Sequence, residues 1–355
     1  MIKKTRNTLL PFLLAAALLF TGCAHQATPD STGKTTITDA SGTAIMIPAK
    51  IQRIADSWAA HNEVLCLLGA GDKIVATTAA AKVPWLCKIN PQFTKATAVF
   101  GGNDTNIEEL MKTKPDIVFM TGNGKNASQL TSMGIPTIQL SFNDFASLKE
   151  CVKLTGTILG SKSSQRADQY IAYLDEKINL ITTVTADIPP SQRPRVIHVS
   201  SVKPLLVDGK NTIINAWIEL AGGINAAETT ANTPEVSLEQ IVKWNPDIII
   251  IGNTALTGKD GPISLSAILQ DKAWQRVSAV QKGAVYINPE GAFYWDRYGV
   301  EEALQLQWAA KILYPDKFAH IDIIKETQYF YRTFFNYELS PEEAAKIIAG
   351  QPPTE

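Results

Sequence analysis

Two short stretches of the chain are apolar at every position. Ile117–Met120 lies just after Pro115, and Ile248–Ile251 lies just after Pro246. A strand that shows no alternation of apolar and polar residues is buried on both faces, as in a parallel sheet covered by helices. Each run follows apolar residues at helical spacing, and the proline ends that helix because it lacks an N–H and clashes with the preceding turn. The pattern therefore predicts the same helix–strand unit twice.

The two units agree in register over a longer segment. Residues 107–123 are IEELMKTKPDIVFMTGN, and residues 238–253 are LEQIVKWNPDIIIIGN. A weaker repeat relates residues 62–78 to residues 215–230, in the same order along the chain. Repeats in a fixed order indicate that one supersecondary arrangement occurs twice. We therefore predict two α/β lobes, each built around a central parallel sheet.

A long amphipathic segment separates these halves. Within residues 163–184, apolar side chains recur every three or four positions, as a helix with one buried face requires. A helix of more than about 20 residues spans ~30 Å, which is enough to brace two lobes and to limit their relative motion. We predict an N-terminal lobe over residues 35–160, a connecting helix over residues 161–188, and a C-terminal lobe over residues 189–355, whose tail helices pack on that lobe.

The first residues predict export from the cytoplasm. Three basic residues precede the apolar stretch Leu9–Phe20, which is shorter than the roughly 20 residues that a bilayer-spanning helix needs. A basic start, a short apolar core and small residues at its end are typical of a secretory signal. The segment Leu19–Cys23 resembles the lipobox of bacterial lipoproteins, and this resemblance implies cleavage before Cys23 and acylation of its thiol. The alternative is a secreted protein in which Cys23 has no such role.

We therefore expect residues 1–22 to be a lipoprotein signal peptide and the polar residues 23–34 to be a flexible tether. The mature protein would then be anchored in the membrane through the lipid on Cys23. Its place would be the cell envelope, in the periplasm or on the outer face of the cytoplasmic membrane.

Charge and motif content exclude two classes of function. The whole chain has 33 basic and 34 acidic side chains, and the predicted signal carries three of the basic ones and no acid. The mature chain is therefore mildly acidic, which argues against nucleic-acid binding. The sequence contains no GxSxG elbow, HExxH pair, P-loop or GxGxxG motif. We interpret the acid pairs Glu108-Glu109 and Glu301-Glu302 as exposed helix charges, and we expect neither catalysis nor a cofactor.

An ordered set of short segments runs through both halves. They are residues 39–48 (DASGTAIMIP), Arg53-Ile54, Asn62-Glu63, residues 69–72 (GAGD), Asn106–Glu108, Lys114–Asp116, residues 221–225 (AGGIN), Ser237–Gln240, Asn245–Asp247 and Gly291–Trp295. In this order, over about residues 35–314, the sequence resembles the periplasmic binding proteins of importers for iron–siderophore complexes, haem and cobalamin. The resemblance implies an α/β fold of two Rossmann-like lobes with central parallel sheets, joined by a single long rigid helix. It also implies a monomer that delivers its ligand to the permease and ATPase of an ABC importer.

Two acids have a role implied by the same resemblance. In the family, one surface acid on each lobe docks onto arginines of the permease, and the motif positions here are Glu108 and Glu239. Acid–arginine pairs across an interface steer association and determine its register. The alternative interpretation is local, since acids in the first turn of a helix are favoured by the helix dipole.

The first lobe offers ligand-binding candidates where its first strand ends. Ligands of open α/β sheets bind outside the carboxyl ends of the strands. Trp58 and His61 follow the first predicted strand. We expect His61 either to coordinate a metal or to hydrogen-bond an acidic ligand, and the alternative is a histidine that faces solvent. Lys82, Asn123 and, in the second lobe, Asn211 are further candidates from their position alone.

The second lobe has its densest aromatic cluster after the predicted strand Val285–Ile287. The ligand-binding candidates there are Phe293, Tyr294, Trp295, Arg297 and Tyr298. The family resemblance places this loop in the ligand wall, where the rings supply apolar contact. Arg297 can hold a carboxylate, a catecholate or an oxyanion bidentately. The alternative is that these aromatics pack between the lobes and Arg297 pairs with Asp296 or Glu301.

The ligand class follows from the same residues. We expect a metal chelate, with an iron complex as the first candidate. Binders of highly anionic siderophores usually have several arginines in the cleft, whereas Arg297 is the only obvious one here. Other ligands therefore remain open, namely a molybdate or tungstate oxyanion, a nickel or cobalt chelate, haem and cobalamin. A sensor of the same fold without a transport role is also open.

Overall fold

The structure, a computed structural model, describes residues 33–101, 105–122, 125–258, 261–262 and 264–354. The predicted signal peptide, Cys23 and most of the predicted tether lie outside the described residues. The first lobe has strands β1 (Lys34–Thr38), β2 (Ala44–Pro48), β3 (Ile54–Asp56), β4 (Ile74–Thr78), β5 (Thr97–Phe100), β6 (Ile117–Thr121) and β7 (Thr137–Leu140), with helices α1 (Ala59–Leu67), α2 (Pro84–Ile89), α3 (Ile107–Lys112), α4 (Lys125–Ser132) and α5 (Phe145–Leu159).

Helix α6 (Ser161–Thr185) follows and leads to the second lobe. That lobe has strands β8 (Arg195–Val202), β9 (Leu205–Val207), β10 (Ile224–Asn225), β11 (Ile248–Ile251), β12 (Thr257–Gly258), β13 (Gly261–Pro262) and β14 (Val285–Ile287). Its helices are α7 (Ile213–Leu220), α8 (Leu238–Trp244), α9 (Leu265–Gln270), α10 (Ser278–Gln281), α11 (Glu302–Leu313), α12 (Ile323–Phe330) and α13 (Pro341–Ile348). Among the described helices, none is long and apolar enough to cross a membrane.

The predicted α/β fold with parallel sheets is confirmed. The first sheet has the order β5-β4-β3-β6-β7 with all neighbours parallel. The second has the order β10-β8-β11-β14, also parallel, and β9 adds to β8 in the antiparallel direction. The two fully apolar runs form β6 and β11, each beside the first strand of its sheet, β3 or β8.

The repeated Pro-Asp motif has the same structural task in each lobe. The backbone N–H of Arg53 donates to Oδ2 of Asp116 over 2.9 Å, and that of Arg195 donates to Oδ2 of Asp247 over the same distance. The guanidinium of Arg53 also donates an N–H to a carbonyl at the C-terminal end of α3, and that of Arg195 donates to one at the C-terminal end of α8. These contacts join three parts of each lobe: the start of the first strand of the parallel sheet, the end of α3 or α8, and the start of the strand that follows that helix.

Helix α6 lies between the lobes and contributes to a core that both share. Its fully buried Tyr170 belongs to the same apolar cluster as Leu65 of α1, Trp217 of α7 and Leu304 of α11. The outer face of each sheet packs in a smaller cluster of its own. Because close-packed interiors resist deformation, the shared cluster limits the relative motion of the lobes.

The C-terminal tail contacts the first lobe as well as the second, on which its helices are predicted to pack. Trp85 Nε1 in the first lobe donates to the carbonyl of Gln351 over 2.8 Å. Asn253 Nδ2 in the second lobe donates to the carbonyl of Gly350 over 3.0 Å. Because these carbonyls belong to consecutive residues, the tail joins the two lobes at one point.

Candidate functional site

Three aromatic rings meet where the strands of the two lobes end. Trp58 follows β3, Phe142 follows β7, and Tyr298 lies in the loop between β14 and α11. The ring centroids of Trp58 and Phe142 are 4.9 Å apart, and that of Tyr298 lies 6.3 Å from Trp58 and 5.8 Å from Phe142. Trp58 and Tyr298 are half-buried, whereas Phe142 is buried. We call these three residues the aromatic bridge, because they join the lobes at the carboxyl edges of both sheets.

Arg297 directly precedes Tyr298 of the aromatic bridge. Its Nη2 lies 3.0 Å from Oδ2 of Asp296 and 3.8 Å from Oδ2 of Asp208, and its side chain is 20% exposed. Burial opposes the charge of Arg297, but Asp296 and then Asp208 raise its pKa above the usual value. The side chain is therefore a cation held by buried carboxylates, with an edge left open to solvent.

Behind Arg297, His198 of β8 lies between the same two carboxylates. Its Nδ1 is 2.6 Å from Oδ2 of Asp208, and its Nε2 is 2.8 Å from Oδ2 of Asp296. All three side chains are at most 1% exposed. Burial alone would lower the pKa of His198, but Asp208 and Asp296 together raise it. Burial alone would raise the pKa of Asp296, but Arg297 and His198 hold it well below its usual value.

His61 has a different environment from the one predicted. It is fully buried in α1, and its Nδ1 lies 2.8 Å from Oδ2 of Asp56. Its Nε2 lies 3.0 Å from Oγ1 of Thr155, whose hydroxyl donates to the carbonyl of Cys151. Since both ring nitrogens already have partners, neither is free to coordinate a metal or to contact a ligand. Asp56 also accepts from the backbone N–H of Trp58 over 3.0 Å. The Asp56–His61 pair therefore helps to hold Trp58 of the aromatic bridge in place.

Two of the predicted wall residues lie in the core instead. Trp295 is fully buried and Phe293 is 6% exposed. The indole N–H of Trp295 and the backbone N–H of Phe293 each donate to the carboxylate of Glu301 over 2.9 Å. The hydroxyl of Tyr331 donates to the same carboxylate over 2.6 Å. The prediction that Trp295 and Phe293 contact ligand is therefore not supported, because their polar groups and faces are used inside the protein.

The acids Glu301 and Glu302 are fully buried, so their interpretation as exposed helix charges is wrong. Glu63 of α1 is also fully buried and accepts from the backbone N–H of Val300 in the other lobe over 3.0 Å. Burial, and then the proximity of Glu301, raises the pKa of Glu63 well above its usual value. Burial likewise raises the pKa of Glu301. Because the two buried carboxyl groups lie close together, their proximity and their burial favour the protonated form of at least one of them.

Three further predicted candidates lie in the described part of the chain. Tyr294 is half-buried beside Phe293, with ring centroids 4.8 Å apart. Lys82 donates to the carbonyl of Thr94 over 3.1 Å. Asn211 is exposed at a positive φ of 64°, just before α7. Asn123 lies outside the described residues.

Glu108 and Glu239 have equivalent positions in the two lobes. Each is exposed in the first turn of the helix that precedes the second central strand, α3 before β6 and α8 before β11. Glu108 forms an ion pair of 3.0 Å with Lys112 one turn later. A backbone N–H of the first turn, and then the cap Ser237, lower the pKa of Glu239, so this carboxylate is charged. The duplication therefore places one surface acid at the equivalent position of each lobe.

The described residues give no indication of a resident metal. In that part of the chain, no group of three or more His, Cys, Asp or Glu side chains is arranged to hold a metal ion. The thiols of Cys66, Cys87 and Cys151 are free.

The sequence interpretation missed Phe142, His198, Asp208 and Asp296 as members of the site. In the sequence, His198 lies within an apolar run that shows no charged partner, and Asp296 is only an alternative partner of Arg297. Asp208 comes ten positions after His198, and the short hairpin of β8 and β9 returns it to the histidine. The only sequence signal is the Asp-Gly pair at residues 208–209 after an apolar run, which marks a turn but no charge partner.

Comparison with known proteins identifies the fold family. A family model described as "Periplasmic binding protein" matches residues 59–292. The chain belongs to the periplasmic binding protein family. The predicted family relationship is thus confirmed, and the relatives of this periplasmic binding protein are solute-binding proteins rather than enzymes.

Three relatives are similar over nearly the whole chain. The molybdate-binding protein MolA of Haemophilus influenzae is 25% identical over 96% of this chain and 99% of its own length. An uncharacterized ABC transporter substrate-binding lipoprotein of Bacillus subtilis, YvrC, is 26% identical over 89% of this chain and 99% of its own. The crystal structure of a periplasmic solute-binding protein from Veillonella parvula superposes with a TM-score of 0.77 at 28% identity, covering 89% of this chain and 97% of that one.

Proposed function

We propose that this periplasmic binding protein is the substrate-binding component of an ABC importer and takes a small oxyanion in the cleft beside Arg297. The observation that supports this ligand class is the cation of Arg297, held by buried Asp296 and Asp208 with one edge exposed. A guanidinium presents N–H groups in a fork that matches an oxyanion bidentately. The similarity to a molybdate-binding protein over 96% of the chain supports the same class.

The aromatic bridge argues for a small ligand. The rings of Trp58 and Tyr298 already contact each other across the lobes, and the shared core around α6 limits how far the lobes can separate. A haem or a corrinoid requires these rings to part widely, whereas an oxyanion needs only the space next to Arg297.

The tyrosines of the site favour hydrogen bonding over metal coordination. Burial, and then nearby carboxylates, raises the pKa of Tyr294 and of Tyr298. Both phenols therefore stay protonated and can donate to a bound oxyanion. An iron chelate, the first candidate from the sequence, is the second candidate here and is an outcome of the same test.

The test is calorimetric titration of the full-length protein, solubilised in detergent, with molybdate, tungstate, sulfate, a ferric catecholate complex and cobalamin. We expect molybdate or tungstate to bind with a Kd of about 1 μM or below, which corresponds to about −8 kcal/mol. The Arg297→Met variant should bind about 10- to 100-fold more weakly, since a hydrogen bond to a charged group contributes about 1.5–3 kcal/mol. Arg332→Met is the control, because Arg332 is exposed in the tail. The oxyanion proposal is wrong if only the catecholate or cobalamin binds, and the binding-protein proposal is wrong if no probe binds.

The importer partners and the anchor belong to the same proposal. Glu108 and Glu239, one exposed acid per lobe, would meet arginines of the permease, while the ATPase would supply the energy. A lipid on Cys23 would keep the protein at the membrane. Replacement of Cys23 by serine should then move the protein from the membrane fraction to the soluble fraction of lysed cells, and an unchanged membrane fraction contradicts the anchor.

A further inference from the structure

Beneath the proposed anion site lies a charged layer of His198, Asp208 and Asp296, and the histidine of this layer has no part in the proposed function. His198 is fully buried on β8 and faces a carboxylate at each ring nitrogen, at 2.6 Å for Asp208 and 2.8 Å for Asp296. A neutral imidazole has one donor nitrogen and one acceptor nitrogen. In the neutral form, one nitrogen would therefore direct its lone pair at a carboxylate oxygen. The imidazolium carries a proton at both nitrogens and is the form that suits this environment, with a hydrogen bond between Nδ1 and Asp208 and a close charge contact between Nε2 and Asp296.

Asp296 links His198 to Arg297. The same oxygen, Oδ2, contacts Nε2 of His198 over 2.8 Å and Nη2 of Arg297 over 3.0 Å. Asp208 likewise uses its Oδ2 toward both His198 and Arg297. His198 therefore contacts both of the carboxylates that contact the guanidinium.

We propose that His198 is a protonated positioning residue that holds Asp296 and Asp208 against Arg297 and thereby couples one proton to anion binding in the cleft. The coupling rests on the proposed function, whereas the protonation and the positioning do not. With an imidazolium, the two carboxylates and the two cations balance. Without its proton, the group carries one net negative charge directly behind the site where an anion would bind, and anion affinity falls.

Other charged groups face this layer and enter the pH dependence. Burial raises the pKa of Glu290 and that of Glu302, and the nearby Asp296 raises both further, that of Glu290 to about 7. Two uncharged groups also border the His198 ring: Trp217 of α7 stands edge-on at 6.1 Å, and Gly252 follows β11. Glu290 is thus the group that can be confused with His198 in a titration near neutral pH. A Glu290→Gln variant separates the two.

The first experiment needs no ligand. In full-length protein labelled with ¹⁵N-histidine, the two ring nitrogens of His198 should both show the shifts of an imidazolium at pH 7, and they should titrate above the ordinary histidine range of about 6.5. In protein labelled with ¹⁵N-arginine, the side-chain Nε–H of Arg297 should give a sharp, slowly exchanging signal that is lost in His198→Gln and kept in His320→Gln, which changes an exposed histidine. Asp208→Asn should lower the titration midpoint of His198 without removing the Arg297 signal. A neutral His198 at pH 7, or an Arg297 signal unchanged in His198→Gln, overturns the proposal.

The second experiment measures the coupling, with molybdate as the probe. We expect the wild-type and Glu290→Gln proteins to bind molybdate at least about tenfold more weakly when the pH rises through the titration of His198, and we expect affinity in His198→Gln to be nearly independent of pH. The coupling is overturned if His198→Gln loses molybdate affinity with rising pH to the same extent as the wild-type protein. If no oxyanion binds at any pH, the proposed function fails, and the ligand-free titration still decides whether His198 is the protonated positioning residue.

Discussion

Asp56 and His198 occupy the same register position in the two lobes. Asp56 is the third residue of β3 and lies opposite Phe119 of β6, and His198 lies opposite Ile250 of β11 in β8. Asp116 and Asp247 accept matching hydrogen bonds from the backbone N–H groups of Arg53 and Arg195. The positions are equivalent because Asp56 and His198 each lie three residues after these arginines. Each lobe thus has a buried Asp–His pair here, with the acid on the strand in one lobe and the base on the strand in the other.

The different partners explain why only one pair is suited to an anion site. His61, the partner of Asp56, has a threonine hydroxyl on its other side. His198 has a second carboxylate on its other side, and that carboxylate contacts Arg297. The first pair orients a ring of the aromatic bridge, and the second holds a cation at its edge.

The hydrogen bonds that Asp116 and Asp247 accept from backbone N–H groups should stabilise both lobes. Asp116→Ala leaves the backbone N–H groups of Gln52 and Arg53 without their carboxylate acceptor, and Asp247→Ala leaves that of Arg195. We expect each substitution to lower the free energy of unfolding by about 1–3 kcal/mol, measured by urea denaturation. Asp187→Ala, at an exposed position with no such role, is the control. Equal stability of all three variants would contradict the structural task of the repeated motif.

The buried acids between the lobes should make stability depend on pH. Burial raises the pKa values of Glu63 and Glu301 above the ordinary 4.5, so the folded state keeps protons that the unfolded state releases. The free energy of unfolding should therefore fall as the pH rises from about 4.5 toward the raised pKa values, by about 1.4 kcal/mol per pH unit for each proton retained. Glu63→Gln retains the hydrogen bond to Val300 but has no proton to lose, so urea denaturation at pH 5 and pH 8 should differ less. Exposed Glu150→Gln is the control, and an unchanged pH dependence in Glu63→Gln would count against the retained proton.

The tail should tie the lobes together through two carbonyls. Removal of residues 349–355 deletes the acceptors of Asn253 and Trp85, whereas removal of residues 352–355 keeps both. We expect the longer truncation to lower the free energy of unfolding by about 1–3 kcal/mol, because two donors lose partners. The shorter truncation should have little effect. Thermal and urea denaturation of the two forms provide the measurement, and equal stability would show that the tail does not bind the lobes together.

Charge reversal at the two surface acids should separate transport from binding. Glu108→Lys with Glu239→Lys should abolish ligand uptake by cells and leave ligand affinity unchanged, since both residues are exposed and far along the chain from Arg297. Glu342→Lys, in the first turn of α13, is the matched control and should transport normally. Uptake that survives the double reversal would leave the two acids with their local role at helix N-termini.

The architecture could be predicted from the sequence alone. The fully apolar runs 117–120 and 248–251, the prolines before them and the repeated order of segments predicted two parallel α/β lobes, because hydrophobic patterning and proline geometry act locally. The same local signals placed Glu108 and Glu239 at equivalent helix starts. They also identified Trp58, Arg297 and Tyr298 at the carboxyl edges of the sheets.

The burial and the partners of the polar side chains could not be predicted, because they depend on how distant segments pack together. Glu301 and Glu302 have the sequence appearance of surface charges, yet the shared core buries them. Trp295 and His61 turn inward because Glu301, Asp56 and Thr155 provide partners from other elements of the fold. The contact of Asp208 with His198 and Arg297 depends on a hairpin and a loop about 90 residues apart. Burial and ion pairing depend on which segments meet in space, and that information is not local in the sequence.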